Sequence, residues 1–261
     1  MHSPSFFHTP LRKLVLALSL SACAIPFTHT TAGALDWMGG EKVQGSGVIK
    51  QQTRNLPAFS GVSLNVPGDM EVRLGSTDSI TIESDDNILA RIETVIDNGT
   101  LKIQPAERNM NLRTRHMKIV LTARSLDHIS VGGSGSVEAP ALKASKLKFN
   151  IGGSGSINVQ GVEADQLAVS VGGSGDFKSN GGKTRALSVS IGGSGDVDLG
   201  RVQANDAAVS VAGSGEAVVW ATNKLSATIA GSGDVNYYGD PKVSRSVVGS
   251  GSTERLGASP R

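Results

Sequence analysis

Apolar residues fall at every second position through much of this chain, and the alternation itself repeats. Leu147, Phe149 and Ile151 are followed 20 residues later by Leu167, Val169 and Val171, then by Leu187, Val189 and Ile191. The series continues in Ala207, Val209 and Val211 and closes with Leu225, Ala227 and Ile229. A period of two predicts strands with these residues on one face. Lys148, Asn150, Ser170, Ser188, Ser190 and Thr228 point the other way. Each strand runs into a Gly-Ser-Gly tripeptide, with serines at 134, 154, 174, 194, 214, 232 and 250, spaced 20, 20, 20, 20, 18 and 18. Beyond each of the first six, alternation resumes with Val137, Ile157, Phe177, Val197, Ala217 and Val235.

A fixed period of this kind predicts a repeat architecture. The expected fold is all-β: a right-handed parallel β-helix with coils of about 20 residues stacked at about 4.8 Å. Six intervals then give a stack of about 29 Å. Inward columns of Val, Ile and Leu form the core. The glycines supply positive φ and let corners stack closely, and the serine hydroxyl is expected to bond nearby backbone. A leucine-rich repeat is set aside because no Asn or Cys column and no helical segment accompany the repeat. A hairpin meander remains the alternative, although it would not require the same tripeptide at every corner.

Residues 45–125 are β-rich but irregular. Val62, Leu64 and Val66 alternate, Pro67-Gly68-Asp69 turns, and Met70, Val72 and Leu74 alternate again, as in a degenerate coil. Ile80 and Ile82 mark another strand. Asn87 to Asp97 reads as a short helix or a strand, and Asp97-Asn98-Gly99 as a turn before Leu101 and Ile103. The expected organisation is a single β-helix domain over 45–256, with irregular coils or a cap over 45–125, regular coils over 126–256 and a tail over 257–261. Solenoids need atypical ends to cover their open edges.

The first residues read as an export signal. Arg12 and Lys13 precede an apolar run from Leu14 to Leu20 that is too short to span a membrane. Leu20-Ser21-Ala22-Cys23 resembles a bacterial lipobox, which predicts a signal peptide over 1–22, lipidation of Cys23 and a tether over 23–44. Ala32-Gly33-Ala34 offers ordinary cleavage after residue 34 instead. Cys23 is the one cysteine of the chain, so the mature domain has no internal disulfide and relies on packing. The net charge of +2 falls to 0 once Arg12 and Lys13 are removed, which argues against nucleic acid as a partner. With aromatics at 4% and glycine at 33 residues, the composition suits short strands and tight turns.

These features together resemble a family of bacterial envelope proteins, described as putative auto-transporter adhesin, head GIN domain. The resemblance covers residues 45–252. It is carried by Gly45-Ser46-Gly47, Arg54-Asn55-Leu56, Phe59-Ser60-Gly61-Val62, Glu83-Ser84-Asp85-Asp86 with Asn87-Ile88-Leu89, Asp97-Asn98-Gly99-Thr100-Leu101-Lys102-Ile103 and the Gly-Ser-Gly turns. It ends in Gly231-Ser232-Gly233-Asp234-Val235-Asn236-Tyr237-Tyr238-Gly239. The resemblance implies an exported β-helical domain, often lipid-anchored.

One outward column follows the turns: Ser136, Ser156, Asp176, Asp196, Glu216, Asp234 and Ser252. Carboxylates about 4.8 Å apart repel unless a cation or basic partner lies between them. Asp176, Asp196, Glu216 and Asp234 are therefore a candidate acidic ridge for calcium or a basic partner, with solvated turn carboxylates as the simpler reading. The calcium-binding nonapeptide GGxGxDxUx does not fit, because Asp196 stands one position early. Asp196 and Asp198 are the residues a polysaccharide-cleaving alternative would use as acid and base. Trp220, Tyr237 and Tyr238 are expected to cover the last coils. His116 and His128 stand in no arrangement that suggests a metal or a triad. No catalytic residue, cofactor or resident metal is assigned. The expected function is a non-catalytic, adhesin-like module of the periplasm or outer membrane that offers a repetitive surface to an envelope protein or glycan. The alternatives are a polysaccharide-active enzyme and a purely structural envelope protein.

Overall fold

The computed structural model describes residues 41–261. The export signal, both cleavage sites, Cys23 and most of the tether lie outside the described residues.

The N-terminal part comprises β1 (Lys42–Gln44), β2 (Ile49–Asn55), β3 (Gly61–Leu64), β4 (Asp69–Leu74), β5 (Ser79–Asp85), α1 (Asp86–Leu89), β6 (Ile92–Asp97), β7 (Thr100–Pro105), β8 (Asn111–Arg113) and β9 (Met117–Ala123). The stretch from Asn87 to Asp97 is thus the end of a one-turn helix followed by a strand. Asn98 (φ 50°) and Gly99 (φ 75°) close a two-residue hairpin between β6 and β7, both in the left-handed region that such turns require.

The regular part runs through β10 (His128–Val131), β11 (Ser136–Ala139), β12 (Leu142–Gly153), β13 (Ser156–Val159), β14 (Val162–Gly173), β15 (Asp176–Ser179) and β16 (Gly182–Gly193). It continues through β17 (Val197–Gly213), β18 (Glu216–Gly231), β19 (Asp234–Tyr238), β20 (Lys242–Gly249) and β21 (Ser252–Gly257). Every pairing within it is parallel and joins residues one repeat apart: Leu147 lies on Leu167, Leu167 on Leu187 and Leu187 on Ala207. The region is a β-solenoid with coils of about 20 residues. Its inward columns are buried. Phe149 and Phe177 meet across the core with ring centroids 4.9 Å apart.

The corners explain the tripeptide. Its first glycine has φ between 126° and 144° in six of the seven copies. A Cβ on any of these six would collide with the carbonyl oxygen of the equivalent glycine in the preceding coil. That carbonyl accepts the backbone N–H of the next serine, as from Ser174 to Gly153 (2.9 Å) and from Ser194 to Gly173 (2.8 Å). The expected role of the serine hydroxyl is therefore corrected: the serine's backbone N–H ties the corner, and the residue is exposed. Gly133, in the first copy, lacks the positive φ because it stacks on a different turn, Pro67-Gly68-Asp69.

The N-terminal part is a mixed sheet, not a run of coils in chain order. β3 and β4 do form a coil, with Leu64 on Val131 and Met70 on Val137. The next coil outward comes later in the chain, as β7 and β9. The chain thus enters the stack one level in, returns to build the outermost level, and then crosses back to β10. Antiparallel pairs β2–β5, β5–β9 and β6–β7 complete this end. Ile80, Ile82, Ile88, Leu101 and Ile103 are fully buried there. At the other end, β20 is exposed along its whole length, and among the described residues its partner is β18.

Candidate functional site: an outward column and its groove

The acidic residues lie in one column, as their spacing requires. Ser136 pairs with Ser156, Ser156 with Asp176, Glu216 with Asp234 and Asp234 with Ser252. Asp196 stands one residue before the Phe177–Val197 pair. Donors of the following coil occupy several of the carboxylates. The Glu216 N–H donates to Asp196 Oδ1 (3.0 Å), Asn236 Nδ2 donates to Glu216 Oε1 (2.7 Å), and both the N–H and the hydroxyl of Ser252 donate to Asp234 Oδ1 (2.8 Å each). These bonds relieve repulsion by direct pairing with the next coil. Among the described residues, no cluster of three or more His, Cys, Asp or Glu side chains is placed to hold a metal ion.

Asp198 is engaged elsewhere than Asp196. Its Oδ2 pairs with Lys178 Nζ at 3.2 Å and its Oδ1 accepts the Gly200 N–H at 3.2 Å. It borders a groove of about 850 Å³ with Asn180, Arg201 and Tyr238. His116 pairs with Glu83 at 2.6 Å. His128 is half-buried with Nδ1 unpartnered, and burial followed by the nearby charge of Lys148 lowers its pKa.

The sequence reading passed over a second outward column. Lys143 pairs in register with Glu163, Glu163 with Lys183, Lys183 with Gln203, Gln203 with Trp220 and Trp220 with Tyr238. The first four recur every 20 residues and were visible as such. Trp220 was not, because it stands 17 residues after Gln203. The coil to which it belongs is two residues shorter, and β17 absorbs the difference at register shifts between Leu199 and Gln203 and between Ala204 and Asp206. Because Gly200, Arg201 and Val202 have no counterparts in β18, the indole of Trp220 falls into the column directly after Val219.

Beside this column runs a groove of about 570 Å³, within the range of ligand sites. Its floor includes Ala141, Leu142, Gly161, Val162 and Gly182. Its flank is Lys143, Glu163, Lys183 and Gln203, and Trp220 closes one end. Gly182 (φ 137°) has no alternative, since a Cβ there would strike the Val162 carbonyl. Both lysines reach Glu163 Oε1, Lys143 at 3.1 Å and Lys183 at 3.6 Å, while remaining 75% and 71% exposed. The hydrogen bond from Lys143, with the charges of both lysines, holds the Glu163 carboxyl below its usual pKa. Trp220 and Tyr238 therefore line grooves rather than simply covering the last coils.

A different cluster gathers residues that carry the family resemblance. The Asp85 carboxylate is buried and accepts the Gly47 N–H and the Thr114 hydroxyl, each at 2.6 Å. Ser46 donates its hydroxyl to Asp86 (2.6 Å) and its N–H to Asn87 (2.9 Å). A Cβ on Gly45 would strike the Asp85 carboxylate. This arrangement latches the strand-poor lead-in onto the mixed sheet. Hydrogen bonds from Thr114 and Gly47 keep the pKa of Asp85 below its usual value.

No curated protein matches this sequence. Among solved structures, a putative adhesin from Bacteroides fragilis superposes with a TM-score of 0.75 at 25% identity, over 82% of this chain and 100% of its own. A protein from Parabacteroides distasonis described as a putative lipid binding protein gives 0.69 at 27% identity, over 83% and 100%. A putative adhesin from Parabacteroides merdae gives 0.67 at 21%, over 83% and 99%, a likeness of fold. Residues 58–241 match the family described as putative auto-transporter adhesin, head GIN domain, and because that stretch is well over half of the sequence, the chain belongs to that family.

Proposed function

We propose that this chain is a non-catalytic cell-envelope module whose solenoid presents outward columns to a protein or glycan partner. The observation that carries the reading is the groove beside the Lys143–Glu163–Lys183–Gln203–Trp220 column, which joins an apolar floor to a few convergent polar groups. The family's description as adhesins agrees with it. The corners take no part, because their glycines are committed to stacking. The test is retention of bacterial envelope fractions and glycans on beads carrying the domain, run beside an assay for released reducing sugar. Retention without sugar release supports the reading. Sugar release that is lost in Asp198→Asn overturns it in favour of the enzyme alternative.

The module is exported to the periplasm or outer membrane and held there through lipidated Cys23. The resemblance of Leu20-Ser21-Ala22-Cys23 to a lipobox supports this placement. Mass spectrometry of membrane-extracted protein tests it: a diacylated N-terminal peptide at Cys23 is expected, and a mature terminus at Leu35 overturns it.

A further inference from the structure

We propose that the groove ending at Trp220 binds a linear glycan chain bearing carboxylates, laid along the solenoid axis across successive coils. This inference rests on the reading of the chain as a binding module. The groove draws on five coils, from Ala141 to Trp220, so at about 4.8 Å per coil it is about 19 Å long. That spacing is close to the length of one sugar unit in an extended chain, so successive units meet successive side chains of one column.

Three features select a glycan over a peptide. First, the backbone of these coils is already paired on both sides: Val162 in β14, for example, has partners in both β12 and β16. A peptide cannot add here as an extra strand. Second, the polar groups are those that bind hydroxyls: two ammoniums, a carboxylate and an amide in one line. Third, the partly exposed indole of Trp220 supplies a flat apolar face against which the C–H face of a sugar ring can stack.

Charge sets the class of glycan. The groove carries Lys143 and Lys183 against Glu163 alone, a surplus of one positive charge. Both ammoniums converge on the same carboxylate oxygen, at 3.1 and 3.6 Å, and stay mostly exposed, so each keeps donors free for an anionic group. Their backbones stand two coils apart, about 10 Å, but the shared oxygen draws the ammoniums together, so the pair addresses one carboxylate of the chain.

The test is a fluorescence titration of full-length protein carrying Trp37→Phe, which leaves Trp220 as its one indole. Probes are an oligogalacturonate of about seven units, long enough to exceed the groove at about one unit per coil, and a neutral cello-oligosaccharide of equal length. Saturable change with oligogalacturonate is expected, weakened by salt, with the neutral probe at least about tenfold weaker. Lys143→Gln with Lys183→Gln should cost about tenfold in affinity. Calorimetry of Trp220→Ala should show a similar loss and Trp220→Phe a smaller one, with melting temperature checked for each. Equal binding of the two probes, or no binding of oligogalacturonate, overturns the proposal. So does oligogalacturonate binding that survives Trp220→Ala and the double lysine change. Because the bead assay reads adhesion independently, retention of envelope material without oligogalacturonate binding removes this inference and leaves the binding-module reading standing.

Discussion

The two halves of the domain solve the same stacking problem in opposite ways. In the regular half, each coil lies on the one before it in the chain, and one corner geometry serves six of the seven turns. In the N-terminal half, spatial neighbours are distant in sequence: β3 lies between β7 and β10, and β4 between β9 and β11. The returning chain brings antiparallel strands across the end of the stack, so that Ile80 and Ile82 are fully buried. Among the described residues, nothing covers the C-terminal end in this way. Val243 and Val247, in line with buried Leu225 and Ile229, are 41% and 39% exposed, and Arg245 occupies the inward column between them. A charge in an inward position discourages further strands from adding to an open edge. One end is closed by topology and the other is guarded by a side chain.

The largest effect is expected at a corner. Gly193→Val forces a branched side chain onto a φ of 139° and into the Gly173 carbonyl, and should destabilise by about 4 kcal/mol or more. Gly133→Ala, in the same tripeptide but with open space around it, should fall within about 0.5 kcal/mol of wild type. Urea denaturation of the two variants measures both effects. Equal losses would mean that the stacked corner glycines do not constrain the coil.

The ends come next. Ile82→Ala at the covered end should cost about 3 kcal/mol, and Val247→Ala at the open end under about 1 kcal/mol. The same denaturation experiment separates them.

How far this was legible depends on how local the cause is. The corners could be read because glycine's steric freedom and a fixed period are properties of a short stretch. The inward columns followed from alternation alone, down to Phe149 and Phe177. The coil formed by Val62 to Leu74 could also be seen, because it keeps the strand–turn–strand pattern. Its place in the stack could not, since the pairing of Leu64 with both Ile103 and Val131 leaves no trace in the residues between them. The site was partly visible: Lys143, Glu163, Lys183 and Gln203 share the 20-residue period. Trp220 was hidden by the shortened coil, which breaks the period just where the column acquires its aromatic residue.

The latch at Asp85 gives a smaller effect. Asp85→Asn should cost about 1–3 kcal/mol by weakening bonds to Gly47 and Thr114, while the regular half stays unchanged. Its pH dependence has a definite sign. The carboxyl's pKa is lowered by folding, so its contribution is present above the ordinary value of 3.8 and is lost as pH falls through the lower folded value. The protection factor of the Gly47 amide, its exchange measured against an unstructured chain at the same pH, should therefore fall in acid in the wild type, with a flatter pH response in Asp85→Asn. The smallest effect belongs to the ladder itself: Glu163→Gln should change stability by less than about 0.5 kcal/mol, because its lysine partners are exposed.

The corners shape the solenoid, and the outward column of Lys143, Glu163, Lys183, Gln203 and Trp220 binds. The most direct measurement is retention of beads on a carboxylate-bearing glycan surface, with melting temperature recorded for each variant. Trp220→Ala and the double lysine change are expected to lose retention at unchanged melting temperature, while Gly133→Ala loses neither. Retention that survives the column changes, or that falls only when the melting temperature falls, would contradict that expectation.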